Sequence, residues 1–124
     1  MTTVTATTTR SQLGEAGGAA RQIRERFKSV AAGGTDEQVR DDMIALAVTL
    51  ESAATTYATG GAQSPLSYTL SWTTSGANDA ATKAFALAWL HGPRKPPGFG
   101  AQHLDTRSTV PKLGSALLTL INGL

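Results

Sequence analysis

Two histidines and an aspartate, His91, His103 and Asp105, are the only residues of this chain whose types suggest a metal site once cysteine is excluded. Imidazole and carboxylate suit zinc or a neighbouring first-row ion, but their spacing fits no established ligand pattern. His91 also falls at an expected helix C-terminus, where the dipole alone favours a histidine. Nucleophilic catalysis needs an activated Ser or Thr with a base in reach. Hydroxyl residues are so abundant here that any such pairing carries no signal. Asp41 and Asp42 are adjacent on an expected helix and diverge by about 100°, so they do not converge on a substrate. The glycine pairs at Gly17, Gly33 and Gly60 suit helix packing or termination rather than a phosphate-cradling loop between strand and helix. The expectation is a protein that is not an enzyme, with no cofactor and no small-molecule substrate.

Charge offers a different chemistry. The run RQIRERFK carries Arg21, Arg24, Arg26 and Lys28, and the stretch GPRKPPGFG carries Arg94, Lys95 and Phe99. Guanidinium and ammonium groups meet phosphates, and an aromatic ring between glycines is suited to stacking on a base or docking in a partner. Arg107 and Lys112 extend this basic set. Pro93 to Pro96 also forms a weak PxxP match. Against this stands the distribution of charge. Residues 1–34 hold five basic and two acidic side chains, residues 35–59 one basic and five acidic, and residues 60–124 five basic and two acidic. Pairing of the basic run with Asp36, Glu37, Asp41 and Asp42 across two helices accounts for the same arginines without any ligand.

The elements that would position these groups follow from periodicity. Val39, Met43, Leu46, Leu50, Ala53 and Tyr57 recur at steps of four and three, which lays one apolar stripe along a helix over 35–59. Thr35 and Gln38 supply a capping box, and Gly60 with Gly61 a stop. Leu13, Ala16, Ala20, Ile23, Phe27 and Val30 set out a preceding helix over 11–32. Gly14, Gly17 and Gly18 weaken its first turns, at about 1 kcal/mol each relative to alanine. The Gly33–Gly34 link then predicts an antiparallel αα-hairpin.

From 65 to 74 the period changes to two. Leu66, Tyr68, Leu70 and Trp72 alternate with Ser67, Thr69, Ser71 and Thr73, as in a half-buried strand. Its partner is either the threonine-rich segment 1–10, which reads equally as a flexible arm, or a stretch near 102–110, or a second copy of the chain. Two further helices are expected at 79–91 and 111–122. The first is apolar almost all round, with Phe85 and Trp89 beside Ala81 and Ala88. The second carries a stripe of Leu113, Leu117, Leu120 and Leu124 that must dock on the hairpin or a neighbouring subunit. Residues 92–100 form an exposed connector.

These elements make one mainly helical α+β domain over residues 1–124, a length suited to a single core. The longest apolar run, Ala84 to Leu90, is far short of the roughly 20 residues a membrane span needs. The N-terminal sequence has no secretory pattern, so the expected location is the cytoplasm or an assembled particle.

The strand short of partners, the apolar last helices and the threonine arm together suggest a self-associating structural protein, such as a virus-particle subunit. On that reading Leu66, Tyr68, Leu70, Trp72, Leu117, Leu120 and Leu124 form the associating surface, and the basic residues contact any nucleic acid enclosed. The alternatives are a small nucleic-acid-binding or regulatory module, or an inhibitor or adaptor that docks on one partner protein.

Overall fold

The computed structural model describes residues 1–27, 34–60, 66–91 and 110–124. Its elements in order are β1 (Thr2–Thr9), α1 (Arg10–Leu13), α2 (Ala16–Phe27), α3 (Gly34–Gly60), β2 (Ser67–Thr74), α4 (Asp79–His91) and α5 (Val110–Asn122). The chain is mainly helical α+β, with a two-stranded antiparallel sheet laid on the helices.

α3 is the frame. Met43, Leu46, Ala47, Leu50 and Ala53 are fully buried along its inner face, as the stripe requires. α2 packs antiparallel to it, and the glycines fit the approach. A Cβ on Gly17 would sit 3.5 Å from Ala54 Cβ, and one on Gly14 would sit 3.6 Å from the Tyr57 ring. The expected single first helix is broken into α1 and α2 by a turn at Gly14–Glu15. This is where low helix propensity meets the need for the chain to leave β1 and turn along α3. Leu13, Ala16, Ala19, Ala20, Ile23 and Phe27 still reach the core.

The strand over 67–74 finds its partner inside the chain. Thr2–Thr9 is strand β1, with Thr2 opposite Thr74 and Thr9 opposite Ser67 in an unbroken register. Of the alternatives, the arm is ordered as an edge strand. Alternation decides both faces: Val4, Ala6 and Thr8 with Leu70, Trp72 and Thr74 turn inward, while the odd-numbered residues turn to solvent. A turn with Gly76 at φ 84° leads to α4, a conformation open to glycine and costly for other residues.

The buried face of α4 is Thr82, Ala86 and Leu90. The expected face through Ala81, Phe85 and Ala88 is therefore rotated: Ala81 and Phe85 are half-buried and Ala88 is exposed. Phe85 meets Phe27 with ring centroids 4.7 Å apart. α5 buries Leu113, Ala116, Leu117, Leu120 and Ile121. It docks chiefly on β1 and α4 rather than on the hairpin.

Candidate functional site

The chemistry-bearing residues fall into three groups. The first is a polar node at Asp42, which is 3% exposed. Its carboxylate accepts the Ser75 N–H at 3.0 Å and the Thr82 hydroxyl at 2.9 Å, while its main-chain carbonyl accepts Trp72 Nε1–H at 2.8 Å. One residue thus joins α3 to β2, to the turn after it and to α4. Asp41 instead lies exposed beside Arg40, at 3.1 Å. The two carboxylates diverge as their adjacency requires, and the buried one is occupied in holding the fold together. A second carboxylate, Asp79, accepts the hydroxyls of Thr2 and Thr74. Those two hydrogen bonds hold its pKa below the ordinary carboxylate range.

The second group is the basic run. Arg24 makes a two-pronged bond to Glu51, with both N···O distances 2.7 Å. The bond raises the Arg24 pKa and lowers that of Glu51. Arg26 stands 5.7 Å over the Phe85 ring centroid, within cation–π range. Arg21 is exposed on α2. Of the expected acidic partners, Glu37 and Asp41 bond Arg40 of their own helix and Asp42 bonds Ser75 and Thr82, while Arg24 reaches Glu51, which α3 turns toward α2. The Asp36 side chain lies outside the described residues. Lys28, Arg94, Lys95, Phe99, Arg107, His103 and Asp105 lie outside the described residues, as does the connector 92–100. Among the described residues, no three His, Asp or Glu side chains gather as a metal site, and no helix is long and apolar enough to cross a membrane.

The third group is the sheet. Leu70, Trp72, Leu117 and Leu120 are fully buried in the chain's own core. They therefore pack within the chain's own fold rather than on its surface, because the strand expected to lack a partner has β1. Tyr68 and Leu124 are half-buried, and Leu66 is 81% exposed. What the sheet does offer is main chain.

Arg10 N–H donates to the Leu66 carbonyl at 2.9 Å, so that pair and every second pair from it are hydrogen-bonded within the sheet. The N–H and C=O groups of the intervening residues point away, to the two outer edges. Along β2 the outward Ser71 carbonyl accepts the Thr49 hydroxyl at 2.8 Å, and just beyond the strand Ser75 N–H reaches Asp42. α3 therefore meets that edge at these two points, while the outward groups of Ser67, Thr69 and Thr73 find no partner among the described residues. Along β1 the outward Thr9 N–H is met by Gln12 Oε1 at 3.1 Å. For Thr3, Thr5 and Thr7 no described residue supplies a partner to the outward groups, and all three residues are exposed. The solvent face beside this edge is made wholly of hydroxyl residues: Thr3, Thr5, Thr7 and Thr9 opposite Thr73, Ser71, Thr69 and Ser67. Thr3 and Thr73 hydroxyls lie 2.9 Å apart across it.

Sequence reading missed both Asp42 and the β1 edge. The alternation of Val4 and Ala6 with threonines was the available signal for the strand, but which backbone groups face outward depends on a register that sequence does not encode locally. Comparison with protein-family models, curated proteins and solved structures finds no match to this chain.

Proposed function

We propose that this protein is a non-enzymatic, self-associating structural protein, a subunit of a repeating assembly such as a virus particle. The observation that carries the reading is the open outer edge of β1. An exposed strand edge is a template for pairing with another chain, and folded proteins commonly blunt it with charge, proline, a bulge or a covering element. Thr2–Thr9 contains no charged residue and no proline, and its register with β2 runs without a bulge. α3 reaches the other edge at Ser71 and Ser75, whereas among the described residues nothing bonds the outward main chain of Thr3, Thr5 or Thr7. Arg21, Arg94, Lys95 and Arg107 are the candidates for contact with any nucleic acid such an assembly encloses.

The test is light scattering behind a size-exclusion column, run over a range of protein concentrations with absorbance at 260 and 280 nm at low and high salt. A defined multimer supports the reading, and a raised 260 nm signal travelling with it adds nucleic acid. A single-chain mass throughout contradicts it.

A further inference from the structure

We infer that the occupant of the β1 edge is the β1 strand of a second copy, paired antiparallel about a two-fold axis through Thr5; the inference rests on the self-association reading above and specifies its interface. Three observations lead to it.

The first is the supply of main-chain groups. The outward N–H and C=O groups of Thr3, Thr5 and Thr7 have no partner among the described residues, while Thr9 N–H is held by Gln12. A two-fold axis at Thr5 places Thr3 opposite Thr7 of the second copy, Thr5 opposite Thr5, and Thr7 opposite Thr3. Each of these pairs exchanges two bonds, so the open groups of Thr3, Thr5 and Thr7 are all used, and Thr9, whose N–H Gln12 holds, falls opposite Met1, which lies outside the strand. Moving the axis one residue, to Ala6, sets Thr3 against Thr9 and runs into the bond that Gln12 already makes.

The second is the sequence of the strand. Thr2–Thr8 reads TTVTATT, nearly the same in both directions about Thr5. Antiparallel pairing there sets hydroxyl against hydroxyl on the solvent face, and Val4 against Ala6 on the helix-packed face. Centring on Ala6 would instead oppose Val4 with Thr8. A surface that must match itself under two-fold symmetry needs this self-complementarity, and a strand evolved for an unrelated partner does not.

The third is coverage. On the inward face of the sheet Leu70 and Trp72 of β2 are 0% exposed, whereas Val4 and Ala6 of β1 keep 9% and 7%. The residual apolar exposure lies on the strand with the open edge. Pairing joins two such strands into a four-stranded sheet, ordered β2, β1, β1, β2, each of whose outer edges α3 meets at Ser71 and Ser75.

Because the chain has no cysteine, engineered thiols report the register without interference. In the inferred pair the two Thr5 Cα atoms stand about 5.5 Å apart, inside the range a disulfide spans. Thr5→Cys alone should form a covalent dimer under mild oxidation, faster than Thr73→Cys, an exposed position on the other strand. Thr7→Cys alone should not, but mixed with Thr3→Cys it should give a heterodimer.

Thr5→Pro supplies the second arm. The Thr5 N–H points outward, so proline there leaves the β1–β2 ladder intact. Self-association should weaken about tenfold or more while circular dichroism and melting of the single subunit stay as in the parent. If proline unfolds the strand, Thr5→Lys retains the main chain, sets like charges opposite each other at the axis, and should weaken association in the same direction. A parent protein that associates while Thr5→Cys cross-links no faster than Thr73→Cys, or while Thr5→Lys associates unchanged, overturns this interface and leaves the self-association reading standing. A parent that stays a single chain at every concentration overturns both.

Discussion

Replacing Asp42 with alanine removes the acceptor that ties α3 to the β2–α4 turn and to α4, and the cost can be worked from its bonds. The Thr82 hydroxyl is fully buried and loses a charged acceptor at 2.9 Å. The Ser75 N–H, at 3.0 Å, belongs to an exposed residue that water can partly satisfy. Taking about 1.5–3 kcal/mol for the first and about 0.5–1.5 for the second, the variant should lose roughly 2–4.5 kcal/mol. That is a large share of the ~5–15 kcal/mol typical of a folded domain.

Asp42→Asn should lose less than half as much, since an amide can accept from Ser75 and donate to the Thr82 oxygen. Urea unfolding followed by far-UV circular dichroism and tryptophan fluorescence measures both. The slope of free energy against urea should not change, because the surface exposed on unfolding is the same. The bond from Trp72 Nε1–H goes to the Asp42 main-chain carbonyl, so the Trp72 contribution to native emission should survive either substitution. An alanine variant within about 1 kcal/mol of the parent, or an asparagine variant as unstable as alanine, would falsify the hub role assigned to this carboxylate.

Three further outcomes follow from the same packing. The pKa of Asp79 is lowered in the folded state by the Thr2 and Thr74 hydroxyls. Its stabilising contribution is therefore full above the ordinary carboxylate pKa and is lost as pH falls through the lowered one; the acid-induced drop in melting temperature should be smaller in Asp79→Asn than in the parent, and an equal drop would refute the assignment. Gly17→Ala should leave stability unchanged or raise it by up to about 1 kcal/mol, since helix propensity improves and the new Cβ meets Ala54 at an ordinary 3.5 Å; a clear loss in urea unfolding would mean α2 and α3 pack more tightly than described. Gly76→Ala should cost about 1–2 kcal/mol by forcing a Cβ into the left-handed region, and a neutral result in thermal melting would show that the turn relaxes freely.

How far the sequence foretold this fold depends on how local the deciding interactions are. The bounds of α3, α4 and α5 fall within two residues of those read from periodicity and from the Gly and Pro stops, because helix faces and caps are written within a few turns. The alternation of Leu70 and Trp72 with serine and threonine placed β2 equally well. The role of 1–10 stayed open because its partner is some seventy residues away in sequence, as Thr2 opposite Thr74 shows. Helix rotation was also out of reach. Charge blocks suggested that the basic run would meet the start of α3, yet Arg24 meets Glu51 in its middle. The apolar pattern of α4 did not reveal that Thr82, Ala86 and Leu90 would be its buried face. Asp42 and the open edge share this character: one depends on what three other segments place around a side chain, the other on the parity of a long-range register.

The most direct measurement of the central claim is amide hydrogen exchange along β1, resolved residue by residue, at concentrations below and above the onset of association. In the single subunit Thr3, Thr5 and Thr7 should exchange fast while Val4, Ala6 and Thr8, bonded to β2, exchange slowly. In the assembled protein the amides of Thr3, Thr5 and Thr7 should become protected as well, and Thr5→Pro or Thr5→Lys should restore fast exchange at Thr3 and Thr7. Fast exchange at Thr3, Thr5 and Thr7 at every concentration, in a protein that associates or in one that does not, contradicts pairing at this edge.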